Sequence, residues 1–295
     1  MARSQAFVLA AIATAVGLQT APPLAASQAE TLPPPWHWQT ITGVGFTYVV
    51  QQPVTLRTLA ARCGLSATDL SVGNCWPIDR PAPVGSRLWL SNQRIAPSRP
   101  DSGGLVNIPE GHFDLFLDGI SAGSWPVSVG TARWPTPIGR FPLGRPVWHP
   151  VWYVPASIRA ESALRGVTLP EAVPPGPGNP LGEVWLGLGT TGVGLHGMTA
   201  DAGRWPDMTG SHGCLRLAPA AALQVARLWR PGLTVDVVYL RSKCLETHGE
   251  RFLEVHPDPY GRQTEPSSSL AADPSEPSLR AIWEQACGWP VRWPR

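Results

Sequence analysis

Six consecutive residues, Ser211-His212-Gly213-Cys214-Leu215-Arg216, place a hydroxyl, an imidazole, a thiol and a guanidinium side by side. A second imidazole, His196, followed by Gly197, lies 18 residues before the thiol. A cysteine nucleophile needs a base to take its proton and donors to hold the oxyanion that forms on an attacked carbonyl. A neighbouring imidazole also favours thiolate, through an ion pair. His196, from a strand, and His212, from the turn before a helix, supply a base and an orienting group, and Gly213 lets the backbone approach a substrate closely. One histidine beside one cysteine is commonly structural. The compact unit together with an upstream histidine is what points to acyl chemistry. His196, His212 and Cys214 are also donors that zinc accepts, but a His-x-Cys pair is a cramped chelate and no fourth ligand stands out. The reading is no metal and no cofactor.

The elements around these residues read as mainly β with few helices. His112 to Leu117 alternates with Phe113, Leu115 and Leu117 on one face, and Trp125 to Val129 alternates likewise. Val184 to Leu188, Val193 to His196 and Leu233 to Leu240 are further short runs with Gly and Pro punctuation, which argues for a β-sandwich or barrel. Pro219 to Trp229 reads as a helix. Upstream, Phe46 to Val50 reads as a strand, Thr55 to Cys63 as a helix stopped at Gly64, Ser66 as the cap of a second helix, and Arg87 to Leu90 as a returning strand. Thr31 to Trp38 lies in a Pro-rich lead-in (30–45), and Ser91 to Gly104 reads as a linker, taken as 92–104. Beyond Lys243 the pattern weakens into a C-terminal extension, 244–295. There Glu265 to Ser278 has a linker composition and Leu279 to Cys287 suits a short helix.

The chain has 295 residues with 34 Pro and 30 Gly, turn-rich but below the range of disorder. Net charge is +2, too small and dispersed for a nucleic-acid partner. Residues 1–29 read as a secretory signal: Arg3 gives a positive start, and the 13 uncharged residues Ala6 to Leu18 are too few to span a bilayer. No other stretch suits a membrane span, so the expectation is an exported, soluble protein in a compartment where disulfides persist. The five cysteines leave at least one thiol unpaired within the chain, and 15 two-bridge arrangements are open.

The stretch from Val127 to Leu240 resembles the catalytic domain of L,D-transpeptidases, the YkuD-type cysteine enzymes of bacterial cell walls. Thr136-Pro137-Ile138-Gly139-Arg140-Phe141 resembles the family's Thr-Pro-x-Gly-x-Phe strand. Trp148 through Pro155 to Glu161, and Arg216 in the signature, resemble the proteobacterial branch, and Pro174 to Gly182 resembles the family's loop that precedes the site strand. The catalytic domain is taken as 105–243. The unit 46–91, strand-helix-helix-strand, resembles a LysM glycan-binding module, although Gln52-Pro53-Val54 replaces the usual Gly-Asp turn and Cys63 and Cys75 are extra.

The resemblance implies that Cys214 attacks the carbonyl of the third stem-peptide residue of peptidoglycan and expels D-alanine, with His196 as base. It implies oxyanion contacts from His212, Gly213 and Cys214, support of the histidine pair by Ser211, and substrate contacts from Arg216 and Gly197. Trp148, Trp152 and Tyr153 either line a groove or belong to the core, and Ala200 to Gly210, with Trp205, suits a lid. The implied partners are stem peptides and glycan strands in the periplasm, with an acceptor amine from another stem or from a wall-attached outer-membrane protein. Water as acceptor would make the enzyme a carboxypeptidase or amidase, and a non-catalytic wall-binding protein is the third alternative. With Cys214 required as a free nucleophile, domain layout pairs Cys63 with Cys75 and Cys244 with Cys287. The second bridge would contribute on the order of 4 kcal/mol through closure of a loop of about 40 residues.

Overall fold

Alternating apolar residues on short runs make sheets that must cover one face, and two such sheets share the main core of a computed structural model. It describes residues 32–63, 65–199, 208–262 and 277–293. The expected signal segment, most of the 200–210 lid with Trp205, and most of the Glu265 to Ser278 linker lie outside the described residues.

The first sheet has the order Ile120–Pro126, His112–Leu117, Gly103–Asn107, Thr234–Val238, Gly139–Pro142. Its third and fourth strands run parallel, Val235 opposite Gly104, so the last long strand of the domain is inserted at the centre. The second sheet has the order Val147–Trp148, Val184–Gly187, Gly194–His196, Leu215–Arg216. Val106, Phe113 and Leu115 from the first sheet and Val184, Leu186, Leu195 and Leu215 from the second are buried in one cluster. The helix Pro219–Leu228 closes it with Ala221, Ala222, Val225 and Ala226. Proline suits the start of this helix, where an N–H has no intrahelical partner. The fold is mainly β with few helices, as the strand pattern predicts.

The N-terminal unit has the strand-helix-helix-strand order read from the sequence. Gly45–Val49 pairs antiparallel with Arg87–Ser91, and the helices Leu56–Cys63 and Ala67–Asn74 lie between them in sequence. Thr55 Oγ1 accepts from Thr58 N at 3.1 Å and Ser66 Oγ from Asp69 N at 3.2 Å, each occupying an amide that the first turn leaves free.

The stretch 92–104 is not a linker. Arg94–Ser98 is a strand paired with His37–Thr42 of the Pro-rich lead-in, and Gly103 and Gly104 already belong to the first sheet. Its polar composition suggests solvation, but both its arginines are buried and paired with carboxylates. Arg94 Nε donates to Glu110 at 2.6 Å and its two Nη to Asp114 at 2.7 Å.

The extension after 243 is also structured. Ser242–Thr247, Glu250–Val255 and Val291–Trp293 form a sheet, packed by the helix Pro277–Gln285 through Leu279 and Trp283. The first two strands turn at His248 and Gly249, both at positive φ, the left-handed geometry that tight hairpins require.

Lead-in, catalytic sheet and extension meet at one buried charge cluster. Lys243 Nζ lies 2.5 Å from Glu110 and 2.6 Å from Glu254, and His256 Nε2 is 2.7 Å from Glu254. The Glu254 carboxylate also accepts the amide of Ile95. Burial pushes the Glu110 carboxyl up, but Arg94 and Lys243 outweigh it and hold the group well below the usual carboxylate range.

All five cysteines are free thiols in the structure, so neither expected bridge is formed in it. Cys75 occupies the left-handed cap of the second helix with Sγ 3.8 Å from Val72 O, and Cys287 Sγ lies 3.8 Å from Trp289 O. Among the described residues no helix is long and apolar enough to cross a membrane.

The cluster predicts a large penalty for removing its central cation. Lys243→Ala strands Glu110 and Glu254 without their shared partner and destabilises by about 3–5 kcal/mol, the cost of breaking a buried pair from one side. Denaturant unfolding checks this; a loss below about 1 kcal/mol would remove the cluster as the joint between the three regions.

Candidate active site

Cross-strand register assembles the site. In the second sheet Val147 stands opposite Trp185, Trp185 opposite His196, and His196 opposite Arg216. Directly opposed residues share a face, and side chains alternate along each strand. The row Trp185, His196, Arg216 therefore lies on the face away from Leu186, Leu195 and Leu215, which enter the core. The sequence reading placed His196 on a strand, and its ring is buried, only 3% exposed. The indole of Trp185 stacks on it with centroids 5.6 Å apart and planes at 26°.

His196 Nδ1 is 2.6 Å from the carbonyl of Gly197. A carbonyl only accepts, so Nδ1 carries the hydrogen and Nε2 keeps the lone pair that a base uses. Burial, and then the charge of Arg216, push the imidazole down to about 4, against the opposing carbonyls of Gly197 and Leu181. Burial also pushes the Cys214 thiol up, with the amide of Gly194 and the Arg216 guanidinium opposing. Burial thus disfavours both the imidazolium and the thiolate, against the ion pair that the sequence suggests.

The turn carrying Cys214 is held by the Ser211 hydroxyl. Ser211 Oγ donates to Cys214 O at 2.6 Å and accepts from Gly213 N at 3.1 Å. Gly213 has φ +100°, which a side chain would strain. Ser211 thus supports the turn rather than the histidine pair, and the Gly213 amide expected at the oxyanion is already engaged. A second loop lies against this turn: Thr131 N donates to Ser211 O at 3.0 Å, and a Cβ on Gly130 would sit 2.9 Å from Gly213 Cα.

His212 is directed elsewhere than the sequence suggests. Its Nε2 donates to Glu161 Oε2 at 2.7 Å, and its ring lies 5.4 Å from Trp134 at 45°. Glu161 belongs to the helix Ala156–Leu164, so the imidazole ties the residues between the first and second strands of this sheet to the turn that carries Cys214. That hydrogen bond, with burial opposing, lowers the Glu161 carboxyl. The donors considered for zinc thus have separate partners, Gly197 for His196 and Glu161 for His212. Among the described residues, the one group with metal-like geometry is Glu110, Glu254 and His256, where the Lys243 ammonium already supplies the cation.

Of the expected substrate contacts, Arg216 Nη1 donates to Gly210 O at 3.1 Å on the face of His196. Gly197 contributes the carbonyl that fixes the His196 tautomer. Trp148 and Tyr153 are exposed, which removes both from the core, and Trp152 is half-buried. Trp152–Tyr153 pairs with Ala172–Val173, and the buried Asn179 pins this region by donating to the carbonyls of Pro150, Val173 and Pro174. Glu161, Trp134, Trp185, Thr136 and Tyr260 were given no role by sequence reasoning. Glu161, Thr136 and Trp185 fall inside segments that it singled out, but Glu161 meets His212 and Thr136 meets Tyr260 across 51 and 124 residues, and no spacing signals them.

The family described as YkuD, the L,D-transpeptidase catalytic domain, matches residues 102–237. The chain is 30% identical over 262 residues to the probable L,D-transpeptidase ErfK/SrfK of Escherichia coli (strain K12), covering 87% of this chain and 84% of that protein. It is 30% identical over 179 residues to the probable L,D-transpeptidase YcfS of the same strain, covering 59% and 55%. The NMR structure of the catalytic domain from an E. faecium L,D-transpeptidase aligns at TM-score 0.35 and 21% identity, over 47% of this chain and 97% of that one.

The Ser211 hydroxyl supplies a sharp test of the turn. Ser211→Ala leaves a Gly213 donor and a Cys214 acceptor without their partner, at about 1–3 kcal/mol. Turnover is expected to fall by tenfold or more, measured as steady-state release of product by the purified variant. Turnover equal to the parent would show that the turn holds its shape without Ser211.

Proposed function

This chain belongs to the L,D-transpeptidase family, and from that premise we propose that Cys214 is the nucleophile of a peptidoglycan L,D-transpeptidase working through a thioester. As Sγ of Cys214 attacks the carbonyl of the third stem residue, Nε2 of His196 takes the thiol proton. The tetrahedral oxyanion is held by amides of the turn other than the engaged N–H of Gly213. Collapse breaks the bond to the terminal D-alanine, whose amine leaves with the proton from His196. An acceptor amine then attacks the thioester, gives its proton to His196, and restores the free thiol as the new amide forms.

The observation that carries this reading is the placement of His196: buried, with Nδ1 2.6 Å from the Gly197 carbonyl so that Nε2 is left as the acceptor, and with burial pushing the imidazole down to about 4. A base with a depressed pKa cannot hold the thiol proton before the carbonyl is in place. Proton transfer therefore accompanies attack, and the resting thiol is protected from oxidants that consume thiolates. Arg216, on the same sheet face, suits a substrate carboxylate, while the exposed Tyr153 and half-buried Trp152 offer apolar surface for the stem.

Further parts of the reading extend beyond the catalytic sheet. The unit 46–91 serves as a LysM-type glycan anchor; a groove of about 370 Å³ lined by Tyr48, Gln51, Gln52, Thr55 and Arg62 is its binding surface. Residues 1–29 direct export, and the enzyme works in the periplasm on glycan-linked stems. The acceptor is a second stem, giving a 3→3 crosslink, or an amine of a wall-attached protein.

Incubating the mature protein with a disaccharide-tetrapeptide and weighing the products tests the reaction class. A crosslinked dimer with released alanine is expected. Alanine release without a dimer would make the protein a carboxypeptidase. No reaction by the parent would contradict the catalytic reading, and activity surviving in Cys214→Ala would displace the nucleophile.

A further inference from the structure

Tyr260 lies beyond the residues matched by the catalytic family, in the region that follows the last strand of the first sheet. Its hydroxyl nevertheless reaches the loop beside the nucleophile. Tyr260 Oη donates to Gly130 O at 3.0 Å and accepts from Thr136 N at 3.1 Å. Thr136 Oγ1 in turn accepts from Gly130 N at 2.9 Å. Both backbone groups of Gly130 are thus fixed by a closed network of three residues, one of them contributed by the extension.

The network passes its position on to the nucleophile. Gly130 packs against Gly213, and the next residue, Thr131, donates to Ser211 O at 3.0 Å. Ser211 holds the Gly213 amide and the Cys214 carbonyl through its hydroxyl. A continuous path of hydrogen bonds and one backbone contact therefore runs from the Tyr260 hydroxyl to the residue that bears Sγ.

Tyr260 is itself well placed. Its ring stacks on the buried Tyr239 with centroids 5.4 Å apart at 28°, and its amide donates to Tyr239 Oη at 3.0 Å. The guanidinium of Arg262 lies over both rings, 5.2 Å and 5.3 Å from their centroids. Burial pushes the Tyr260 phenol up, so it remains a neutral hydroxyl, able to donate and accept at once.

We propose that Tyr260 is a positioning residue for acyl transfer: through Gly130 and Thr136 it sets the Ser211–Cys214 turn in the shape that stabilises the tetrahedral oxyanion. The proposal rests on Cys214 being the nucleophile. It predicts a separation between two reactions of the same thiol. Alkylation by iodoacetamide displaces iodide and forms no oxyanion, whereas acylation by a β-lactam carbonyl must form one.

The experiment compares full-length mature protein with Tyr260→Phe, which removes one oxygen and keeps the stacked ring. Acylation by a carbapenem and alkylation by iodoacetamide are each timed by intact mass at one pH, with adducts mapped to Cys214. Acylation is expected to slow by about tenfold, as a small displacement of reacting groups does, with alkylation within about twofold of the parent. Thr136→Val serves as the second variant, and the double variant is expected to be no slower than the slower single one. Equal acylation rates in parent and Tyr260→Phe would overturn the proposal. So would parallel slowing of both reactions, because general loosening of the fold acts on both. A parent Cys214 that neither reagent modifies would overturn the nucleophile reading itself, and this proposal with it.

Discussion

The site depends on one constraint, the register that buries His196 between Trp185 and Arg216 in a four-stranded sheet. A strand with a core on one face and an indole on the other offers an imidazole no water for its charge. The carbonyl of Gly197 then fixes the remaining hydrogen on Nδ1. Base strength, tautomer and direction of the lone pair follow from these neighbours together. A slip of one residue would send His196 into the apolar core and Leu195 to the site. The apolar alternation that builds the core therefore also aims the base.

Around this row the molecule is braced from outside the catalytic sheets. Glu161 reaches His212 from a helix none of whose residues is fully buried, so that helix is tied to the turn more by a charged hydrogen bond than by packing. Tyr260 reaches Gly130 from the extension. The lead-in strand and the extension converge on Lys243 and Glu254, where both side chains are wholly buried. Such a cluster contributes little by replacing apolar packing, but each of its members becomes expensive to lose. The outer segments are thus joined to the catalytic sheets by buried polar contacts.

Much of this was legible in residue patterns. Phe113, Leu115, Leu186 and Leu195 alternate along their strands and enter one core, and Ser66 caps its helix as its type and place suggest. His196, Ser211 and Cys214 stood out because nucleophile, base and small turn residues have few other reasons to coincide. What escaped was carried by contacts between distant residues. Arg94 sits in a segment that composition assigns to solvent, yet its charge is neutralised by Glu110 and Asp114. Lys243 and Glu254 look like surface residues of a hairpin until Glu110 closes the cluster. His212 seemed a partner of His196, but Glu161, 51 residues away, takes its Nε2. Burial, which no local pattern reports, also pushes the imidazole down and the thiol up, against the expected ion pair.

The proposed mechanism requires His196 to be a neutral base before substrate binds. An ordinary histidine titrates near 6.5, and here burial lowers this to about 4. The native state therefore disfavours the proton. Between those two values the unfolded chain binds more protons, so this residue's contribution to stability is lost as pH falls toward 4. The direct measurement is 15N NMR of the His196 ring across pH 3.5 to 8 in the purified protein. A neutral ring with hydrogen on Nδ1 at pH 7, titrating near pH 4, is the predicted result. An imidazolium signal at pH 7, paired with a Cys214 thiolate, would contradict the account.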